Sequence, residues 1–390
     1  MSTAAAQELL AQRRRRVRPR LVIGAAGMVA LLAALWAALL LLGLDVPSPR
    51  TDFAEVHGPL MVLGFLGTLI SLERAAAVDV RLGYLTPILS GLAALATIIG
   101  ILPVGKVLFV AAGIGLVGLY GVAAHRQNSV HLAVMAVGAM CWIVAAVLWS
   151  ANWDVGRLVP WLAGFLVLTI TGERLELARM TQLDRTARFT FVEAASLFTV
   201  GLVLSTIDTS LGTRIAGIGM LAFAVWLFGY DVTRRTIRTV GLTRYMAVCL
   251  LAGYGWLAAA GALWLRFGTL TDGRAFDAML HAVFLGFVIG MVFAHAPVIV
   301  PAVFRVEVPY RRYFYGHVLL LHASLVLRVV GGDGFGNRAS WQLGGVLNEV
   351  ALLGFIVATV VAIRSGRSAT RHLQGATVTS SRSGREEARL

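Results

Sequence analysis

Two histidines set the chemical question. His57 opens the apolar stretch His57-Gly-Pro-Leu-Met61-Val-Leu-Gly64-Phe65, and His281 opens His281-Ala-Val-Phe-Leu-Gly286-Phe287-Val-Ile-Gly290-Met291. An ionisable ring in a run of Leu, Val, Gly and Ala is costly in lipid, so such residues as a rule carry function. Two neutral imidazoles facing one another suit the iron of a low-spin haem. A zinc or copper centre would draw a third or fourth His, Cys or carboxylate, and none stands at the same depth in the sequence. The competing reading is structural, a hydrogen bond from each ring to a neighbouring helix.

The elements that carry these residues are membrane spans. Of 390 residues, 58% are hydrophobic and 14% charged, with a mean hydropathy of +0.79. Apolar runs of about 20 residues, the length that crosses a bilayer, recur throughout. They give twelve spans at 21–43, 54–77, 84–102, 106–124, 130–150, 158–176, 189–207, 214–231, 244–265, 277–302, 312–330 and 341–363. Residues 1–20 and 365–390, rich in Arg, Ser, Thr and Gly, read as disordered tails flanking a transmembrane domain at 21–363. The expected fold is all-α and polytopic, a twelve-helix bundle. No cleavable signal peptide is evident, because the apolar run after Arg13-Arg14-Arg15-Arg16 is too long for one.

The net charge of +14 is therefore a matter of membrane orientation and not a sign of nucleic-acid binding. With the N-terminus in the cytoplasm, 26 of the 34 basic residues fall in inner segments. The rest are Arg50, Lys106, Arg157, Arg214, Arg266, Arg274, Arg328 and Arg338, and Lys106 is the only lysine. The positive-inside rule then places both termini in the cytoplasm of a cell-membrane protein. Cys141 and Cys249 stand singly in apolar runs and read as small buried hydrophobes.

A repeat links the second, sixth and tenth spans. They contain Gly64-Phe65-Leu66 followed by Glu73-Arg74, Gly164-Phe165-Leu166 followed by Glu173-Arg174, and Gly286-Phe287-Val288 followed by His295. A period of four spans predicts a pseudo-threefold bundle of three four-helix units. All three segments run from outside to inside, so His57 and His281 both lie near the outer face. In the second span, His57, Met61, Gly64, Thr68 and Ser71 share one stripe. In the tenth, His281 and His295 share a face about 21 Å apart along the axis. Gly286 and Gly290 form a close-packing pair on the opposite face.

The other histidines sort by depth. His295, His317 and His322 form an inner group able to hold a metal or to bond between helices, and Pro297 and Pro301 must kink or end the helix beyond His295. His125 and His131 flank a polar inner loop and read as interfacial. Arg274, Arg328 and Arg50 stand at the outer boundary, where the carboxylates of a haem would emerge. Glu73-Arg74 and Glu173-Arg174 read as inner ion pairs or snorkelling groups. Asn348-Glu349, inside the twelfth span, fits a proton path or a buried hydrogen bond.

These residues resemble the NnrS family, membrane proteins with twelve helices that carry haem and copper. The family's helix-2 pattern of His, Met at +4 and Gly-Phe at +7 and +8 stands here as His57, Met61, Gly64 and Phe65. Its later pattern of His-Ala, Gly at +5 and Met at +10 stands as His281, Ala282, Gly286 and Met291. The layout is also similar to subunit I of haem-copper oxidases, whose low-spin haem is held by histidines of helices 2 and 10. The resemblance implies a haem b between His57 and His281, with Met61, Arg274 and Arg328 beside it. It implies copper as a further metal, and a role in nitric oxide response or in electron transfer with a redox partner. Two departures matter: Pro59 and Leu60 replace a second His and a Glu, and the sixth and seventh spans carry no histidine, which argues against reduction of oxygen to water. A reading from another class is a proton-coupled secondary transporter without haem, using His and Glu349.

Overall fold

The computed structural model describes residues 3–178, 183–268 and 271–387, with side chains described over 18–178, 183–268 and 271–366. Twelve of its helices are long and apolar enough to cross a membrane. They are α1 (Arg18–Leu41), α2 (Phe53–Val78), α3 (Arg81–Ile98), α4 (Leu102–Arg126), α5 (Val130–Ser150) and α6 (Val155–Ala178), then α7 (Arg185–Leu204), α8 (Thr209–Tyr230), α9 (Gly241–Phe267), α10 (Gly273–Phe304), α11 (Phe314–Gly334) and α12 (Arg338–Gly366). No strand occurs among the described residues. The chain is an all-α, multi-pass membrane protein. Helical backbone continues back from α1 to Thr3 and on from α12 to Glu387. The side chains of the two tails lie almost wholly outside the described residues.

An even number of spans puts the start of α1 and the finish of α12 at one end of the bundle, here termed the terminal end; the other is the distal end. Local chemistry sets the boundaries. Asp184 accepts from the Ala187 amide at 2.7 Å and caps α7, and Asp208 accepts from Leu211 at 3.0 Å and caps α8. Such caps satisfy amides that the first helical turn leaves free. Asp79 and Arg305 close α2 and α10 in the left-handed region, with φ of 53° and 54°.

Of the two effects expected of Pro297 and Pro301, a kink or an end, the second does not occur: α10 passes both and stops at Phe304. A helical proline orphans the carbonyl four residues earlier. The Tyr245 hydroxyl donates to that carbonyl, Phe293 O, at 3.2 Å.

The four-span period is visible in the burial. The most apolar windows of α6, α2 and α10 are 83%, 67% and 61% buried, the three highest values, whereas that of α12 is 22%. α2, α6 and α10 form the centre, α10 packing on both of the others and α2 reaching α6 through Arg74 and Glu173, and the remaining helices pack around them. Gly286 lies against the Trp256 ring, so the small-residue pair Gly286 and Gly290 seats α10 on α9. Gly217 and Gly261 bring α8 and α9 so close that a Cβ on either would meet the other's carbonyl oxygen at 2.7–2.8 Å.

Candidate functional site

The two histidines sit just before irregular turns. After His57–Pro59, α2 winds as a π-helix over Leu60–Leu66, and after His281, α10 does the same over Ala282–Ile289. α11 has a third such segment, Leu327–Gly334, towards its distal end. Wider π turns inside α-helices occur often at functional sites.

All three segments belong to helices that enclose one cavity of about 720 Å³ at the distal end. That volume lies within the roughly 300–1,000 Å³ usual for small-molecule sites. His57 and Met61 of α2 line it, as do Asp277 and His281 of α10. Arg328 of α11 and Trp341 and Glu349 of α12 form the adjoining wall, and Lys106 of α4 stands with Trp149 and Asn152 on another side.

Each histidine is fixed in the same way. His57 Nδ1 lies 2.8 Å from Ala34 O on α1, and His281 Nδ1 lies 2.8 Å from Asp277 O one turn earlier. A carbonyl oxygen only accepts, so both Nδ1 atoms carry a proton, and in the neutral ring Nε2 is the nitrogen that keeps a lone pair. Neither Nε2 has a protein partner among the described residues. This is the arrangement of a metal-ligating imidazole, one nitrogen anchored to an oxygen and the other open.

His281 is held further by Asp277, whose Oδ2 is 3.3 Å from Nδ1. The Arg328 guanidinium grips both oxygens of that carboxylate, Nε and Nη2 each at 2.9 Å, and Trp341 Nε1 adds a third bond at 3.0 Å. Arg328 stacks over the Trp341 ring at 4.9 Å. A bidentate arginine–carboxylate pair of this type is rigid as well as strong. Sequence reasoning missed Asp277, although its spacing of four residues before His281 on one helix face was a readable signal.

Of the three arginines expected at the mouth, only Arg328 faces the cavity, and two of its nitrogens are taken by Asp277. Arg274 is exposed and its guanidinium lies beside Gly336. Arg50 binds Asp52 at 2.5 Å and Ile98 O at 2.7 Å. A further cation, Lys106, is at the cavity: Nζ donates to Asn152 Oδ1 at 3.0 Å and lies 5.4 Å from the Trp149 ring centroid. On the α12 side Ser324 donates to Asn348 Oδ1 at 2.6 Å, while Glu349 Oε1 is buried without a partner.

The terminal-end histidines do not assemble into a second site. His295 spends both ring nitrogens, Nδ1 on Met291 O at 2.8 Å and Nε2 on Arg174 at 3.2 Å. Arg174 is itself clamped by buried Asp231 through two bonds of 2.8 Å. His317 bonds the Tyr245 hydroxyl at 3.2 Å amid Phe293, Phe314 and Phe355. His322 accepts from Trp256 Nε1 at 3.1 Å. No group of three His, Cys, Asp or Glu placed to hold a metal ion occurs among the described residues. Cys141 and Cys249 are free and buried, as their apolar surroundings imply.

Residues 20–364, all twelve spans but for a few terminal residues, match the model of a domain of unknown function, DUF8744. The chain belongs to this family. Neither the curated proteins nor the solved structures contain a match to it. DUF8744 membership thus covers the whole bundle, central helices and distal cavity alike.

Proposed function

We propose that the distal cavity holds a haem b with His57 and His281 as its axial ligands. The observation that supports this reading most is the paired geometry: two rings on different helices, each anchored through Nδ1, each with Nε2 open to one cavity. Asp277 and Arg328 fix the His281 ring, and Ala34 fixes the His57 ring. Met61 lies on the same face of α2 as His57 and gives the macrocycle a soft apolar neighbour. Lys106, and the part of Arg328 not used by Asp277, supply positive charge for carboxylates on the ligand. The volume and the mixed apolar and polar wall fit a large planar group. Haem iron between two imidazoles supplies one-electron chemistry.

The resemblance to NnrS proteins and to oxidase subunit I extends the proposal to nitric oxide response or respiratory electron transfer, with a redox partner. An oxidoreductase activity on nitric oxide or on a respiratory donor would follow. Copper is left out of the proposal, because His295, His317 and His322 are bonded to separate protein partners and do not converge. The bias of basic residues supports a cell-membrane protein with the terminal end in the cytoplasm, so that the cavity lies towards the outer face.

One observation favours the transporter reading: a carboxylate oxygen of Glu349 buried on the cavity wall without a partner, as a proton-carrying group would be. An absorption spectrum of the purified, dithionite-reduced protein separates the two. Haem ligation predicts a Soret band that His57→Ala and His281→Ala each alter. A colourless protein, or a band that neither substitution touches, would sink the haem assignment.

A further inference from the structure

At the terminal end, opposite the distal cavity, a second concavity of about 460 Å³ opens between the start of α9 and the α10–α11 connection. Its charged lining is Arg244 from the first turn of α9 and Arg312 from the connection, with Tyr310 and Tyr315 beside them. We propose that this groove binds the phosphate of an anionic phospholipid headgroup. The reading does not depend on what the distal cavity holds.

The first argument is unspent charge. Both arginines are exposed, and neither guanidinium has a hydrogen bond or ion pair among the described residues. Elsewhere the bundle uses its arginines: Arg74 on Glu173, Arg174 on Asp231, Arg328 on Asp277 and Arg50 on Asp52. The neighbouring connections add Arg234, Arg235, Arg238, Arg305 and Arg311, against Glu307 as the one carboxylate between Arg305 and Tyr313. Two free guanidinium forks in a concave, basic setting recognise phosphate oxygens bidentately.

The second argument is rigidity. Tyr310 and Tyr315 rest on the fully buried Tyr245, at centroid distances of 5.9 and 5.4 Å. The wall that carries the two hydroxyls is therefore held in place before any ligand arrives.

The third argument selects a lipid over free phosphate. Val240 is 82% exposed at the rim, and Val248 lines the groove one turn deeper into the span. Apolar surface beside paired cations, where a span enters the bilayer, suits an acyl chain below a negative headgroup. Basic pockets between spans on the cytoplasmic side bind such headgroups.

The test uses the full-length protein in neutral detergent, with retained lipid counted by native mass spectrometry. Phosphatidylglycerol, phosphatidylcholine and inorganic phosphate are the three probes. Each basic side chain near a lipid surface contributes about fivefold in affinity. The double variant R244A/R312A is expected to weaken phosphatidylglycerol binding roughly thirtyfold, with phosphatidylcholine binding unchanged. R312Q alone, in an exposed connection where misfolding is not a concern, should lose about fivefold. R266A, at the opposite end of α9, should lose nothing. The proposal is overturned if the wild type holds both lipids equally, if R312Q and the double variant keep wild-type affinity, or if equimolar inorganic phosphate displaces the lipid.

Discussion

Arg74 of α2 donates to Glu173 Oε1 of α6 at 2.6 Å. One repeat later Arg174 of α6 reaches His295 Nε2 of α10 at 3.2 Å. His295 follows Gly286 by nine residues, as Glu173 follows Gly164 and Glu73 follows Gly64. The same contact is thus made twice around the central helices, with an imidazole in place of a carboxylate the second time. No third contact closes the ring, because Ala296 stands where the arginine would be. The relay runs from α2 to α6 to α10 and stops.

Arg174 is the stability-critical member. It is 2% exposed and faces an Asp231 carboxylate with no exposure at all. Removing one partner of a buried pair strands the other charge, at a cost of about 3–5 kcal/mol. Arg174→Ala should lower the thermal unfolding midpoint strongly, and Arg174→Met with Asp231→Leu should recover part of the loss. A single variant no less stable than the double one would refute the pairing argument.

Asp277 should matter to whatever His281 holds. Residues that orient a metal-ligating imidazole typically change metal affinity by about 10–100-fold. Asp277→Asn keeps the shape but weakens both the Arg328 grip and the bond to His281. Titration of the purified variant with haem should show weaker binding of that order, with His281→Ala as the reference for full loss. An unaltered titration would remove Asp277 from the site.

Lys106, the only lysine, gives a single side-chain amine to label. A membrane-impermeant amine reagent added to intact cells should modify it if the distal end faces outward. Filling the cavity should slow that labelling. Modification only after the cells are opened would reverse the proposed orientation.

The close contacts between helices are sensitive to small additions. Overpacking a close-packed interface costs about 1–3 kcal/mol, and more where backbone is struck. Gly217→Ala would push a Cβ against the Gly261 carbonyl oxygen at 2.7 Å, so the α8–α9 pair cannot accommodate it without sliding. Gly118→Ala, with open space around it, should be neutral in the same thermal assay.

Spans, repeat and histidine pair were legible because each rests on local pattern. An apolar run reports a helix directly, and Gly-Phe motifs four spans apart report the three central helices. What the sequence concealed depends on distant partners. Arg328 lies 51 residues from Asp277, so nothing local tells that the carboxylate will occupy it and leave Lys106 facing the cavity. For His295 the choice between a metal and a bond to another helix stayed open for the same reason, since Arg174 reaches it from 121 residues away. That α10 continues past Pro297 was hidden as well, because the Tyr245 hydroxyl that takes up the orphaned carbonyl comes from another helix.

The π segments carry a consequence for how the two ends of a helix relate. A π turn accommodates one residue more than an α turn, so residues on either side of it are offset by about 100° around the axis relative to a regular helix. In α2 and α10 such a segment separates each distal histidine from the Glu73 or His295 position at the terminal end. Regular winding of the same Leu60–Leu66 residues would swing His57 off the cavity by roughly that angle while Arg74 kept its hold on Glu173, whereas deleting one of them would remove the π turn and leave the facing of His57 nearly unchanged. α2 and α10 therefore each behave as two rotors on a common shaft whose relative phase the π turn sets, whereas α6 runs as an uninterrupted α-helix and has no such offset.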